Sequence, residues 1–295
     1  MYLFVYYILR YRRRIVRQNL VSAFPEKSIK EIERIERDFF HWFCDYIVET
    51  FKLMSVSKEE IRRRIVFKGT EIMEQLTKEG VSCGVMLGHY CNWEWISALP
   101  LTITDTTICA LYHPIENPDV NRLYLWIRQR LGNVCIPMEK ALREIVNYKN
   151  SGQPILVGYI ADQKPNWRNI HLWMDFLNHN TPVFTGSERI IKHTRQAFFY
   201  GDMHRIKRGY YECEFKLLER NSETIPDYKL SERYMQELEK SIRREPSLWL
   251  WSHDRWSRTK EEFDKRFYVK DGKVYEKVTE SEYAEQMGWR NYWHH

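Results

Sequence analysis

Gly84-Val85-Met86-Leu87 runs directly into Gly88-His89-Tyr90-Cys91-Asn92-Trp93-Glu94-Trp95. A short apolar run bounded by glycines reads as a buried strand, and open α/β sheets place their ligands just past the carboxyl ends of such strands. His89 and Glu94 are therefore read as a catalytic pair. Histidine is the side chain most readily poised as a general base near neutral pH, and a carboxylate beside it fixes the tautomer and balances the imidazolium formed on proton uptake. Five residues of α-helix turn through about 500°, leaving the two side chains roughly 140° apart, so they cannot share a helical face. His89 must precede the helix. With Asn92 or a neighbour as the cap, a helix through Trp93, Trp95, Ile96 and Leu99 puts Glu94 in its first turn, from which it can reach back. Spacing alone equally allows a loop histidine beside a glutamate that only favours the helix dipole.

Outward from this stretch, Pro154 to Ile160 reads as another strand, ending in Ala161-Asp162-Gln163. If the two strands are parallel, Asp162 emerges on the same sheet edge as His89, where it can orient Arg128 or a substrate hydroxyl. An Asx turn or helix cap is the plainer role for a strand-end aspartate. Further strand-like runs fall at 65–68, 106–112, 133–136, 197–201 and 210–218, with helical stretches at 70–79, 93–99, 118–131, 139–149 and 185–194. This alternation predicts an α/β fold, a mostly parallel central sheet flanked by helices. The last strand follows a short Arg208-Gly209 link and is expected to pair antiparallel with the one before it. Residues 3–22, 28–53 and 58–64 read as helices. The expected organisation is an N-terminal helical, membrane-associating segment at 1–64, an α/β domain at 65–258 and a charged tail at 259–295, frayed or helical on the surface.

The helix after Asn117-Pro118 has a good N-cap, proline at its first position and Gly132 as terminator. Val120, Leu123, Tyr124, Ile127 and Leu131 make one apolar stripe, which Arg128 and Arg130 flank while Arg122 points nearly opposite. Both flanking arginines sit where a guanidinium can turn toward a pocket, and for Arg130 simply covering apolar surface is an equal reading.

Forty-six basic residues against forty acidic ones leave a net charge of +6. Arg10, Arg12, Arg13, Arg14 and Arg17 all precede the first acidic residue, Glu26, so the excess is local. That argues against a nucleic-acid binder, whose basic residues line a broad face. Met1 to Leu9 is apolar and aromatic but far short of the about twenty residues a membrane-spanning helix needs. With arginines directly after it, the segment suits the interface of an anionic membrane; the alternative is a helix packed on the protein's own core. No signal peptide is read here, because the charges follow the apolar stretch. Six cysteines without a Cys-x-x-Cys pair suit a reducing compartment. Cys91 is read as packing. No His-x-x-x-His or His-Glu-x-x-His array points to a metal.

The His-x4-Glu at 89–94 resembles the signature of the glycerolipid and lysophospholipid acyltransferase superfamily, and its surroundings are similar to the bacterial lipid A late acyltransferase branch, the lauroyl and myristoyl transferases. The likeness runs through Tyr11-Arg12-Arg13, Asn19-Leu20, Ala23-Phe24-Pro25-Glu26 and the helical stretch 39–52. It continues in Tyr112-x-Pro114-x-x-Asn117-Pro118, Arg128-x-Arg130-x-Gly132, Ala161-Asp162-Gln163-x-Pro165, Phe176-Leu177, Thr181-Pro182 and Phe184-x-Gly186. Its last part is Pro246-x-x-Trp249-x-Trp251-x-His253-x-Arg255-Trp256, whose tryptophans are read as packing.

The resemblance implies direct transfer of a fatty acyl chain from an acyl carrier protein thioester to a hydroxyl of a lipid A precursor, at the cytoplasmic face of the bacterial inner membrane. It implies His89 as general base with Glu94 as its partner, and substrate binding by Arg128, Asp162, Gln163 and Asn92. No covalent intermediate, metal or cofactor is called for; the thioester is a co-substrate. It also implies a longer hydrophobic segment ahead of this point, leaving open a preceding anchor or peripheral attachment. An ornithine-lipid or lysophospholipid acceptor, and a catalytically silent membrane-surface binding protein of the same fold, stand as alternatives. Oligomeric state is not legible.

Overall fold

A computed structural model describes residues 1–277. The single helix expected over 3–22 is broken. A π-helical turn, Phe4–Ile8, is followed by Arg10 and Arg12, each with φ of 48°, before α1 (Arg13–Ala23) begins. The cause lies in Glu36 of α2 (Ile29–Lys52), a carboxylate only 1% exposed. Tyr6 donates to it at 2.9 Å and Arg13 at 3.4 Å, and Arg17 pairs with it as well. A buried charge needs such partners, and the break lets both sides of the turn reach it. Arg13 and Arg17 are thus spent inward, while Met1, Leu3, Phe4, Tyr7, Ile8 and Leu9 are each more than half exposed.

A Ser28–Glu31 capping box starts α2, and Ser57 caps α3 (Lys58–Arg64). Then come β1 (Ile65–Lys68), α4 (Thr70–Lys78), β2 (Cys83–Leu87), the 3-10 helix Trp93–Leu101, β3 (Thr107–Tyr112), α5 (Pro118–Gln129), β4 (Val134–Pro137), α6 (Ala141–Asn150) and β5 (Ile155–Ile160). A hairpin follows, β6 (Ile170–Phe176) and β7 (His179–Phe184), then α7 (Gly186–Thr194), β8 (Ala197–Lys207), β9 (Tyr210–Glu219) and α8 (Lys229–Arg244). Last are α9 (Lys260–Arg266), β10 (Phe267–Lys270) and β11 (Lys273–Glu276).

The central sheet has seven strands in the order β1-β9-β8-β2-β5-β3-β4. From β8 to β4 every neighbour pair is parallel; β9 runs antiparallel to β8, as expected, and β1 parallel to β9. The fold is α/β, mostly parallel and flanked by helices. β2 lies at the middle with all five residues buried, and a strand covered on both faces reads as an unbroken apolar run.

Two expectations need correction. Of the α5 stripe, Ile127 and Leu131 are buried but Val120 and Leu123 are exposed. The sheet ends beside α5 at β4, an edge strand of four residues, which among the described residues leaves the first half of the helix uncovered. The tail is ordered through residue 277: Phe263 and Phe267 form a small core with Ile170, against which Trp167 and Trp173 pack. The rest of that tail lies outside the described residues. The sequence reading passed over α8, although its inner face buries Leu230, Tyr234, Met235, Leu238 and Ile242 at helical spacing. Tyr234 donates to the carbonyl of Leu87 at 2.6 Å, tying α8 to the end of β2.

Candidate active site

The register of the two central strands builds the site. β2 and β5 are parallel neighbours with Leu87 opposite Ile160. Two residues further on, His89 and Asp162 stand opposite each other. His89 Nδ1 lies 2.6 Å from Asp162 Oδ1, and the His89 main-chain N–H donates to Asp162 Oδ2 at 2.9 Å. Gly88 leaves room here: a Cβ on it would lie 2.5 Å from a Leu238 methyl, which would have to shift, and 3.5 Å from Asp162 Oδ2.

A third donor comes from far along the chain. Leu250 donates its N–H to the carbonyl of His89 at 3.1 Å, and Cys91 donates to that of Leu248 at 2.8 Å. This strand-like pairing brings Trp249 Nε1 to Asp162 Oδ2 at 2.8 Å. The tryptophan repeat was read as packing, and its hydrogen-bonding role carried no signal in sequence. Asp162 is 1% exposed. Burial alone pushes its carboxyl up, but the His89 charge and the donated hydrogen bonds outweigh this and hold it at about 2. An ionised carboxylate only accepts hydrogen bonds, so Nδ1 carries the proton and the lone pair falls on Nε2.

Glu94 is not the partner of His89. It sits in the first turn of the 3-10 helix, as placed from sequence, but its carboxylate is held by Arg128 of α5, Nε at 3.0 Å and Nη2 at 2.7 Å. The planar guanidinium fork matches a carboxylate, and with both partners mostly buried that pairing decides where the side chain turns. The partner expected for His89 thus meets Arg128 instead, and Asp162 takes the place beside the ring.

Asn92 neither caps the 3-10 helix nor faces an opening. Fully buried, it donates Nδ2 to Glu49 of α2 at 2.6 Å; Tyr211 donates to the same carboxylate oxygen at 2.7 Å. Its role is to fasten the loop after His89 to α2, a loop in which Cys91 has φ of 57°. Cys91 is itself fully buried, and burial pushes its thiol up, away from thiolate chemistry.

Two chemically different surfaces adjoin His89. On one side the edge of Trp93 packs at 5.1 Å between ring centroids. Trp93, Glu94 and Arg128 help line a cavity of about 100 Å³, walled by Leu87, Leu99, Ile108 and Val157. On the other side Gln163 Nε2 lies 3.5 Å from His89 Nε2. Among the described residues one group of potential metal ligands occurs, Asp202, His204 and Glu214. Asp202 there already accepts from Lys216, Arg244 and Ser241, which leaves little charge for an ion.

Comparison with known proteins points the same way as the geometry. The family model described as bacterial lipid A biosynthesis acyltransferase matches residues 3–258. Lipid A biosynthesis acyltransferase 2 of Shigella flexneri is 25% identical over 143 residues, 48% of this chain and 45% of that protein. The lipid A biosynthesis acyltransferase of Haemophilus influenzae is 22% identical over 236 residues, 79% of this chain and 72% of that protein.

Proposed function

Because the chain belongs to the bacterial lipid A biosynthesis acyltransferase family, we propose that it moves a fatty acyl chain from an acyl carrier protein thioester to a hydroxyl of a lipid A precursor. The reading rests chiefly on the His89–Asp162 pair at the carboxyl edge of the sheet. His89 Nε2 takes the proton of the acceptor hydroxyl as its oxygen attacks the thioester carbonyl carbon, and Asp162 holds the ring and balances the imidazolium. The tetrahedral adduct then expels the thiolate, which receives the proton from Nε2. No bond forms between acyl group and protein.

Negative charge developing on the carbonyl oxygen needs a fixed donor. Among the described residues Arg128 keeps Nη1 unused, since Glu94 engages Nε and Nη2, and it lines the apolar cavity in which an acyl chain would start. At about 100 Å³ that cavity is smaller than the roughly 150 Å³ that admits a benzene ring. It therefore holds only the first part of a long chain. The exposed apolar residues of the first turn suit a lipid surface at the cytoplasmic face, with Arg10 and Arg14 beside them for anionic headgroups.

The test is a transfer assay with labelled acyl carrier protein thioester and a lipid A precursor, on wild type and His89→Ala. Transfer by wild type alone is expected. Equal transfer by both removes His89 from the reaction, and thioester consumed only with other lipid acceptors moves the substrate.

A further inference from the structure

We propose that Arg12, Lys164 and Arg258 form a phosphoryl-binding subsite beside His89 that takes a phosphate group of the acceptor lipid. The assignment to the acceptor rests on the acyl-transfer reading; the anion site itself does not.

The three cations are gathered on one short stretch. Arg12 Nη1 donates to the carbonyl of Ser252 at 3.0 Å. Lys164 Nζ donates to the hydroxyl of Ser257, and Arg258 Nη1 to the carbonyl of Pro165. Each anchor leaves further N–H donors on the same group, three for an ammonium and five for a guanidinium in all. Among the described residues none of the three is ion-paired, whereas Arg13, Arg17, Arg128, Arg205, Arg208 and Arg244 all are. The acid acting on Lys164 is the exposed Asp254. Like charges repel, and here the repulsion is felt: burial pushes Lys164 down, Asp254 pulls against it, and Arg258, Arg12 and the buried Arg255 then add to the downward push. A bound anion relieves that repulsion.

Position gives the ligand its place. Gln163, which approaches His89 Nε2, immediately precedes Lys164. The Lys164 main-chain N–H donates at 3.3 Å to Nε2 of His253, a ring that burial, then Arg255 and Lys164, hold neutral with a value of about 4. The cationic stretch therefore adjoins His89 Nε2, the atom that must meet the hydroxyl. A doubly charged tetrahedral oxyanion uses three cations more fully than one carboxylate does, and arginine pairs fit it in the two-pronged manner.

Inorganic phosphate is titrated into the full chain at constant ionic strength, with chloride for comparison, and read from ring resonances of labelled His89 and His253. Wild type should show saturable shifts. Lys164→Gln with Arg258→Gln keeps neutral hydrogen-bonding side chains at both anchors, and should bind about tenfold or more weakly. Arg168→Gln, which removes a guanidinium paired with Glu276, should titrate like wild type. In the transfer assay the double variant should lose about tenfold of the preference for a phosphorylated acceptor over its dephosphorylated form. Unaltered phosphate binding by the double variant overturns the site. A preference loss that follows the donor instead, present with acyl-phosphopantetheine and absent with acyl-pantetheine, overturns the assignment to the acceptor. Absence of transfer to any lipid defeats the acyl-transfer reading while the phosphate titration still decides the anion site.

Discussion

Asp162, not Glu94, is the carboxylate on His89: Oδ1 lies 2.6 Å from Nδ1, although seventy-three residues separate the two in sequence. Glu94, five residues from the histidine, is engaged by Arg128 through two hydrogen bonds.

Asp162→Asn should therefore cost more in kcat than Glu94→Gln. An amide keeps the shape but no longer enforces the tautomer, and loss of a positioned acid–base partner typically lowers rate about 10²- to 10⁴-fold. Glu94→Gln loosens Arg128 and should act chiefly on kcat/KM for the acyl donor. Steady-state kinetics on both variants decide this, and a larger kcat loss in Glu94→Gln restores the pairing read from sequence.

Acid stability should carry the same signature. The folded value of Asp162 is depressed to about 2 from an unfolded value of about 3.9. A depressed carboxyl stabilises the fold above the unfolded value and loses that contribution as pH falls from about 4 through 2, here on the order of 2 to 3 kcal/mol. Asp202, also held at about 2 against burial by Arg244 and Lys216, adds a second such term. Urea unfolding across this window should show a shallower pH slope in Asp162→Asn; matching slopes would count against it.

Gly158 of β5 lines the apolar cavity, and the nearest atom to a Cβ there is the Cys109 carbonyl oxygen at 3.8 Å. Gly158→Leu should fold and fill the cavity. Each methylene kept out forfeits about 0.8 kcal/mol, near fourfold in kcat/KM, so preference should move to shorter chains. A donor series of graded length tests this, and an unchanged profile places the acyl chain elsewhere.

Membrane attachment should be more apolar than electrostatic. Phe4→Ser with Ile8→Ser removes exposed side chains each worth about 1.5 to 3 kcal/mol on burial. Arg10→Gln with Arg14→Gln removes about 1 kcal/mol per charge, and only at low salt. Flotation with anionic vesicles should rank the first pair as the more damaging; the reverse order would make arginine contact dominant.

All seven strands of the central sheet, and the placement of His89 and Asp162 just past two of them, are legible in the order of residues. Parallel strands covered on both faces need unbroken apolar runs, and the fully buried Cys83–Leu87 and the mostly buried Ile155–Ile160 supply them. Residue types able to perform proton transfer are also visible, because few side chains can. What tertiary structure alone decided is who pairs with whom. Adjacency of β2 and β5 sets the register that joins His89 to Asp162, and the approach of α5 claims Glu94. The return of residues 248–250 brings in Trp249, and Glu49 draws Asn92 inward. Hydrogen bonds and ion pairs act over about 3 Å in space, while spacing along a chain reports only local geometry. So the composition of the site is written in sequence, and its wiring is fixed by packing.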